Sequence, residues 1–253
     1  DMSHPRLPLV LVALTGVALV TSACASSEPA ADTQEAAAET ITVADAKPTL
    51  VLVEEDGESS YQEDPEADRG SVEVPYQPEA VVTFDIATLD TLDAIGAGDA
   101  VVGIPDIVLP DYLSDYADLP KVGSLFEPDF EVVAELEPDL IVVAARSTGQ
   151  YDELSEIATT IDLTGSSRGT FDPAAGLERA EQLGEIFGAE DAVAEQVAEI
   201  EALETQIEDS VDGTALLLSV SGGEYGAFGE GSRFGYFFDE LGFTPAVAAA
   251  DLP

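Results

Sequence analysis

Basic residues are scarce in this chain: 8 Lys and Arg stand against 52 Asp and Glu in 253 residues, a formal net charge of -44. A surface this acidic repels nucleic acid and anionic membranes at long range, which sets nucleic-acid binding aside, and it suits a saline or extracellular setting where salt screens self-repulsion. Sulfur and nitrogen ligands are nearly missing as well, with one Cys, one His and no Trp. The folded part therefore cannot supply a Cys/His zinc cluster, an internal disulfide or a serine–histidine dyad. The single histidine, His4, lies in a segment expected to be removed on export. Carboxylates are so numerous that no pair of them stands out as an acid/base couple.

What is present begins with an export signal: Arg6, an apolar run from Leu7 to Val20, then TSAC ending at Cys24. Small residues directly before a lone cysteine resemble a bacterial lipobox, in which the cysteine is lipidated and becomes the mature amino terminus. Thr21 stands where that motif most often has Leu, and the alternative is an ordinary cleaved signal with an incidental cysteine. Residues 24–40 are Ala, Ser, Glu, Thr and Pro with hardly a large apolar side chain, which predicts a flexible tether.

From Ile41 the pattern predicts short strands at ITV, TLVLVEED and SVEVP, with an edge hairpin around the polar run near Asp56 to Gly70. Val81–Phe84 reads as the first core strand, and Ile86, Leu89, Leu92 and Ile95 follow at helical spacing until Gly96. Ala100–Ile104 is a second strand, after which the proline-bearing stretch to Val122 reads as irregular. Phe130, Val133, Ala134 and Leu136 then make a helix capped by Asp129 and ended by Pro138. Leu140–Ala144 is a continuous apolar run, as in a parallel strand covered on both faces, and Arg146 comes just after it. A helix at Tyr151–Ala158 and a strand at Thr160–Leu163 complete an alternating pattern, which means a parallel α/β sheet with right-handed crossovers.

Pro173 behind Asp172 starts the longest helical stretch, whose apolar face runs through Leu177, Ala180, Leu183 and Phe187 until Gly188, with a second run through Val193, Val197, Ile200, Leu203 and Ile207. If continuous at 1.5 Å per residue it is about 50 Å long, too long for a crossover and suited to a strut between two lobes. Thr214–Val220 reads as a buried strand and the segment from Arg233 to Gly242 as a helix, which opens a second α/β lobe. The expected domains are therefore a signal peptide (1–23), a lipid-anchored linker (24–40), an N-terminal lobe (41–171), an inter-lobe helix (172–210) and the start of a second lobe (211–253), incomplete at Pro253.

Two arginines share a setting, since Arg146 and Arg233 each follow an apolar strand in its own lobe among small residues. In open parallel sheets ligands bind beyond the carboxyl ends of the strands. A guanidinium placed there can fork to oxygen anions and lie flat on aromatic rings, which suits a negatively charged aromatic ligand. The alternative is two structural arginines paired with nearby carboxylates. Gly229, Gly231 and Gly235 do not follow GxGxxG spacing, and no P-loop lysine is present, so the second segment is no nucleotide cradle.

The stretches FDIATLDTLDAIGAG, VGSLFEPDFEVVAELEPDLIVVAARS and AFGEGSRFGYFFDELGFTP, with VVGIP and YDELSEIATTI between them, closely resemble the catecholate-siderophore-binding lipoproteins of bacterial ABC iron importers, over about residues 71 to 253. That resemblance implies a two-lobed periplasmic-binding-protein fold with one long helix between the lobes. It also implies a binding protein rather than an enzyme, with no cofactor or resident metal, whose ligand is an iron–siderophore complex. Arg146 and Arg233 match cleft arginines that hold the anionic iron–catecholate centre, and a further arginine, histidine and tyrosine would come from second-lobe sequence past Pro253. Glu131, together with Asp239 or Glu240, matches carboxylates that face arginines of the permease. The implied protein is a monomer, anchored through Cys24 to the outer face of the cell membrane. Haem, cobalamin or a hydroxamate siderophore is the alternative ligand on the same architecture.

Overall fold

A computed structural model of the chain describes residues 39–55, 58–63, 68–164, 173–232 and 234–248. The signal, Cys24, Asp172 and Arg233 lie outside the described residues. In chain order the elements begin with β1 (Thr40–Ala44), β2 (Leu50–Glu55), β3 (Glu58–Glu63) and β4 (Ser71–Pro75). β5 (Val81–Thr83), α1 (Ile86–Ala94), β6 (Val101–Gly103), α2 (Phe130–Glu135), β7 (Leu140–Val143), α3 (Tyr151–Ser155) and β8 (Thr160–Asp162) follow. Then come α4 (Pro173–Phe187), α5 (Glu190–Ser210), β9 (Thr214–Ala215), β10 (Leu217–Ser221), β11 (Glu224–Phe228), α6 (Tyr236–Asp239) and β12 (Thr244–Pro245).

The expected parallel sheet is there, in the order β6-β5-β7-β8, with every pair parallel. Successive side chains of a strand point to opposite faces, and the core divides accordingly. Val81, Leu140, Val142 and Ile161 pack with Leu89 and Leu92 of α1, Leu183 and Ile186 of α4 and Val193 of α5. Val82, Ile141 and Val143 pack on the other side with Val133 of α2 and Leu154 of α3. All four residues of β7 are buried, because helices cover both faces. Capping fixes where the helices start. The Asp85 carboxylate accepts from the Thr88 amide at 2.9 Å, and Asp129 Oδ1 accepts from the Val132 amide at 3.2 Å.

Several expectations need correction. The single strut over 172–210 is two helices: α4 stops at Phe187, Gly188 takes a φ of +63°, and α5 restarts at Glu190. A Cβ on Gly188 would lie 2.4 Å from the Tyr76 hydroxyl, so the break is wedged into the packing, and α4 belongs to the sheet's core. The remaining 21-residue α5 is about 31 Å long. Among its described residues only Val193 is buried, and Ile200, Leu203 and Ile207 are exposed.

The edge hairpin expected around the polar run after Asp56 is present as the antiparallel pair β2 and β3, and β1 pairs antiparallel with β4. A 3-10 turn at Asp111–Tyr116 occupies the stretch read as irregular. The strand expected at Thr214–Val220 divides into β9 and β10, and its Leu216, Leu218 and Val220 are exposed because β10 pairs only with β11 among the described residues. The helix expected from Arg233 shortens to α6, four residues long.

α6 is tied to α5 by the Tyr236 hydroxyl, which donates to Glu204 Oε1. Burial first, then that hydrogen bond and the charges of Glu204, Glu240 and Glu208, push the phenol up to about 12. Tyr116 is raised likewise, by burial and by its 2.7 Å bond to Asp93. A raised phenol holds its proton more tightly in the folded state. Its contribution is complete below the ordinary value of 10.0 and is lost as pH climbs through the folded value. We expect denaturant midpoints to be insensitive to these groups up to about pH 10 and to fall between 10 and 12, with Tyr236→Phe flattening part of that fall. Urea titrations followed alongside tyrosinate absorbance check this; an equal alkaline decline in the variant would remove the Tyr236–Glu204 tie from the account.

Candidate functional site

The crevice beyond a parallel sheet is built by whatever leaves the carboxyl ends of its strands. At β7 the chain turns sharply. Ala145 adopts a φ of +50°, a left-handed conformation that a residue with a Cβ rarely takes, and it is locked from several sides. The Ala145 amide donates to Thr164 Oγ1 at 2.7 Å, the Ala144 amide to Ser147 Oγ at 3.0 Å, and the Ser147 amide to the Ala144 carbonyl at 3.1 Å. Thr148 and Thr164 share a hydroxyl–hydroxyl bond of 3.0 Å, and both Ser147 and Thr148 are buried. These short hydroxyl side chains satisfy the backbone of the turn and leave Arg146 exposed at its crest. Among the described residues Arg146 makes no ion pair.

Two other arginines show what a structural arginine looks like in this protein. Arg69 donates from Nε to the Lys47 carbonyl at 3.1 Å, from Nη2 to the Asp162 carbonyl at 2.6 Å and from Nη1 to the Thr164 carbonyl, and its Nη2 lies 3.8 Å from the Asp162 carboxylate. Arg179 donates to the Leu163 carbonyl at 3.0 Å. Both hold the end of β8. Arg69 is thus paired with a buried carboxylate, and Arg179 holds a backbone carbonyl. The sequence signal for this was faint: Asp162 inside the strand pattern TID is a buried charge, which calls for a partner.

At the opposite flank of the sheet, Lys121 forms an isolated parallel bridge with Ile104, the residue after β6, so the chain there runs in the direction of the strands and leaves at the same edge as β7. The chain then reverses in a tight turn closed by an antiparallel Gly123–Pro128 bridge. Gly123 has a φ of +92°, and a Cβ there would sit 2.5 Å from the Glu127 carbonyl oxygen, so only glycine fits. Ser124 Oγ accepts from the amides of Phe126 (3.3 Å) and Glu127 (3.0 Å), and the Ser124 amide donates to the Glu127 carbonyl at 3.0 Å. Sequence reading passed over this turn because its only marks are a Gly-Ser pair and a proline.

Glu131 is exposed in the first turn of α2, and Asp239 and Glu240 are exposed at the end of α6. Arg233 and Cys24 lie outside the described residues. Phe228 and Phe234 meet edge to face at 4.8 Å. Among the described residues no three carboxylate, histidine or cysteine side chains converge on a metal position, and no helix is long and apolar enough to cross a membrane. A 400 Å³ groove between α4 and α5, floored by Val193 and Val197, lies away from the strand ends.

The family described as periplasmic binding protein matches residues 81–251. The petrobactin-binding protein YclQ of Bacillus subtilis is 40% identical over 188 residues, covering 71% of this chain and 57% of YclQ. Its crystal structure superimposes with a TM-score of 0.64 at 36% identity, covering 78% of this chain and 67% of that one. The periplasmic catecholate-siderophore binding protein VctP of Vibrio cholerae superimposes with a TM-score of 0.62 at 30% identity, over 79% of this chain and 68% of VctP. The chain therefore spans little more than half the length of YclQ.

Proposed function

Because the chain belongs to the periplasmic binding protein family, we propose that it captures a ferric siderophore of the catecholate class outside the cytoplasm and passes it to an ABC permease. The observation that carries this reading is Arg146: a cation left exposed at the carboxyl end of a buried parallel strand, without an ion pair among the described residues, in a chain with 52 carboxylates. A cation this scarce is held free by a built turn for a ligand it must meet. The names of YclQ and VctP supply the ligand class. Arg233 is the second clamp in this reading, Cys24 the lipid anchor, and Glu131 with Asp239 or Glu240 the contacts to permease arginines. The protein acts as a monomer that binds and does not catalyse, and the iron arrives inside its ligand.

The test is a titration of the full-length gene product, followed by quenching of its tyrosine emission, with a ferric catecholate, a ferric hydroxamate and haem. The catecholate complex is expected to bind most tightly; no response to it, with tight binding of either other ligand, rejects the catecholate assignment. Salt sharpens the test. A net charge of -44 should repel an anionic iron complex at a distance, but at physiological ionic strength screening extends only about 8 Å, while contacts within about 4 Å escape it. Raising salt by a few tenths molar is therefore expected to speed association and to leave the equilibrium affinity nearly unchanged. Slower association in salt would mean that the ligand is steered in by positive potential, against this account.

A further inference from the structure

We propose that the turn at 123–128 is the second wall of the ligand crevice, and that Phe126 at its tip contacts a catechol ring and so selects aromatic iron complexes over anionic complexes without rings. This inference rests on the ferric-siderophore reading above and adds to it a residue that sets specificity. Three observations support it.

The first is position. Lys121 pairs in parallel with Ile104, just past the end of the edge strand β6, so the order across this end of the sheet is Lys121, β6, β5, β7. The turn and Arg146 thus rise from the same edge, three strand spacings apart, or about 14 Å. The second is exposure on a rigid mount: Phe126 is 62% exposed, yet the turn beneath it is fastened by the Ser124 hydroxyl, the Gly123–Pro128 bridge and a glycine that admits no side chain. A ring held out by a backbone that is already ordered loses little further freedom on contact, the condition under which stacking adds affinity. The third is charge. Glu127 is exposed next to Phe126, so the turn disfavours the anionic iron centre and accepts a ring at the ligand's periphery. Arg146, across the edge, takes the charge.

The test uses the full-length gene product as parent, Phe126→Ala and Phe126→Trp, each titrated with iron(III) bis-catecholate and with iron(III) citrate, an anionic complex without aromatic rings. Phe126→Ala is expected to weaken the catecholate complex about tenfold and the citrate complex less than about twofold, with Phe126→Trp close to the parent. Equal catecholate affinity for Phe126→Ala and parent overturns the inference, as does an equal loss for both complexes. If Phe126→Ala binds as the parent does but permease-dependent uptake falls, the turn is a docking surface for the permease, which also overturns it. A parent that binds no iron catecholate removes the reading beneath the inference, and the parent titration tells that failure apart from a failure at Phe126. An exposed side chain is replaced, so folding is unaffected, and a thermal melt of each variant verifies this.

Discussion

Arg146→Ala is expected to weaken ferric catecholate binding by about 2–5 kcal/mol, or about thirtyfold to several thousandfold, without a change in thermal stability. The two halves of this result follow from the same geometry. The turn that carries Arg146 is held by the backbone and by Ser147, Thr148 and Thr164, none of which uses the guanidinium, so the fold has nothing to lose. In the proposed reading, the ligand loses a charge-assisted, planar contact. Arg146→Lys is expected to lose much of the same affinity, because an ammonium keeps the charge but not the fork or the flat face. Titrations of the full-length protein by tyrosine quenching, beside melts of each variant, separate the two effects. If Arg146→Ala binds as tightly as the parent, the functional reading loses its main support; if it unfolds instead, Arg146 is a structural arginine after all.

Arg69→Ala should do the reverse and cost about 3–5 kcal/mol of stability. Its guanidinium serves three carbonyls, of Lys47, Asp162 and Thr164, that belong to two separate parts of the chain. The Asp162 carboxylate is fully buried. Its Oδ1 accepts from the Thr164 amide at 2.7 Å, and its Oδ2 has no hydrogen-bond partner among the described residues. Arg69 at 3.8 Å is the cation that offsets it, so removing Arg69 leaves a buried charge uncompensated. Arg69→Met, which keeps the apolar stem, should be nearly as unstable as Arg69→Ala, and adding Asp162→Asn should recover part of the loss by removing the stranded charge. Urea unfolding of the three variants decides this. Equal stability of Arg69→Ala and parent would show that the clasp contributes nothing.

The expectations that held are those carried by local periodicity. A strand covered on both faces must be apolar throughout, so Leu140–Val143 could be read directly, and a turn after it placed Arg146 at a strand end. Asp85 and Asp129 were readable as caps because a carboxylate before a helical run satisfies free amides whatever the rest of the fold does. The misreadings share the opposite character. A glycine inside a helical pattern costs only about 1 kcal/mol, so Gly188 could be passed through or could break the helix. The Tyr76 hydroxyl, against which it packs, and the Gln77 amide, which takes the Ile186 carbonyl at 2.8 Å, decide in favour of the break.

The sequence by itself determined the class of fold and the run of parallel strands, because each depends on neighbours within a few residues. Only the tertiary structure decided which arginines are free and which are committed. Arg69 is 93 residues from the Asp162 carbonyl it holds, and Arg146 is distinguished by the partners it does not have among the described residues. It also decided that Phe126 stands at the same edge as Arg146, since that depends on the parallel bridge between Ile104 and Lys121. Pairing between segments far apart in sequence is set by which buried backbone groups find partners when the chain closes on itself, and no pattern local to either segment contains that information.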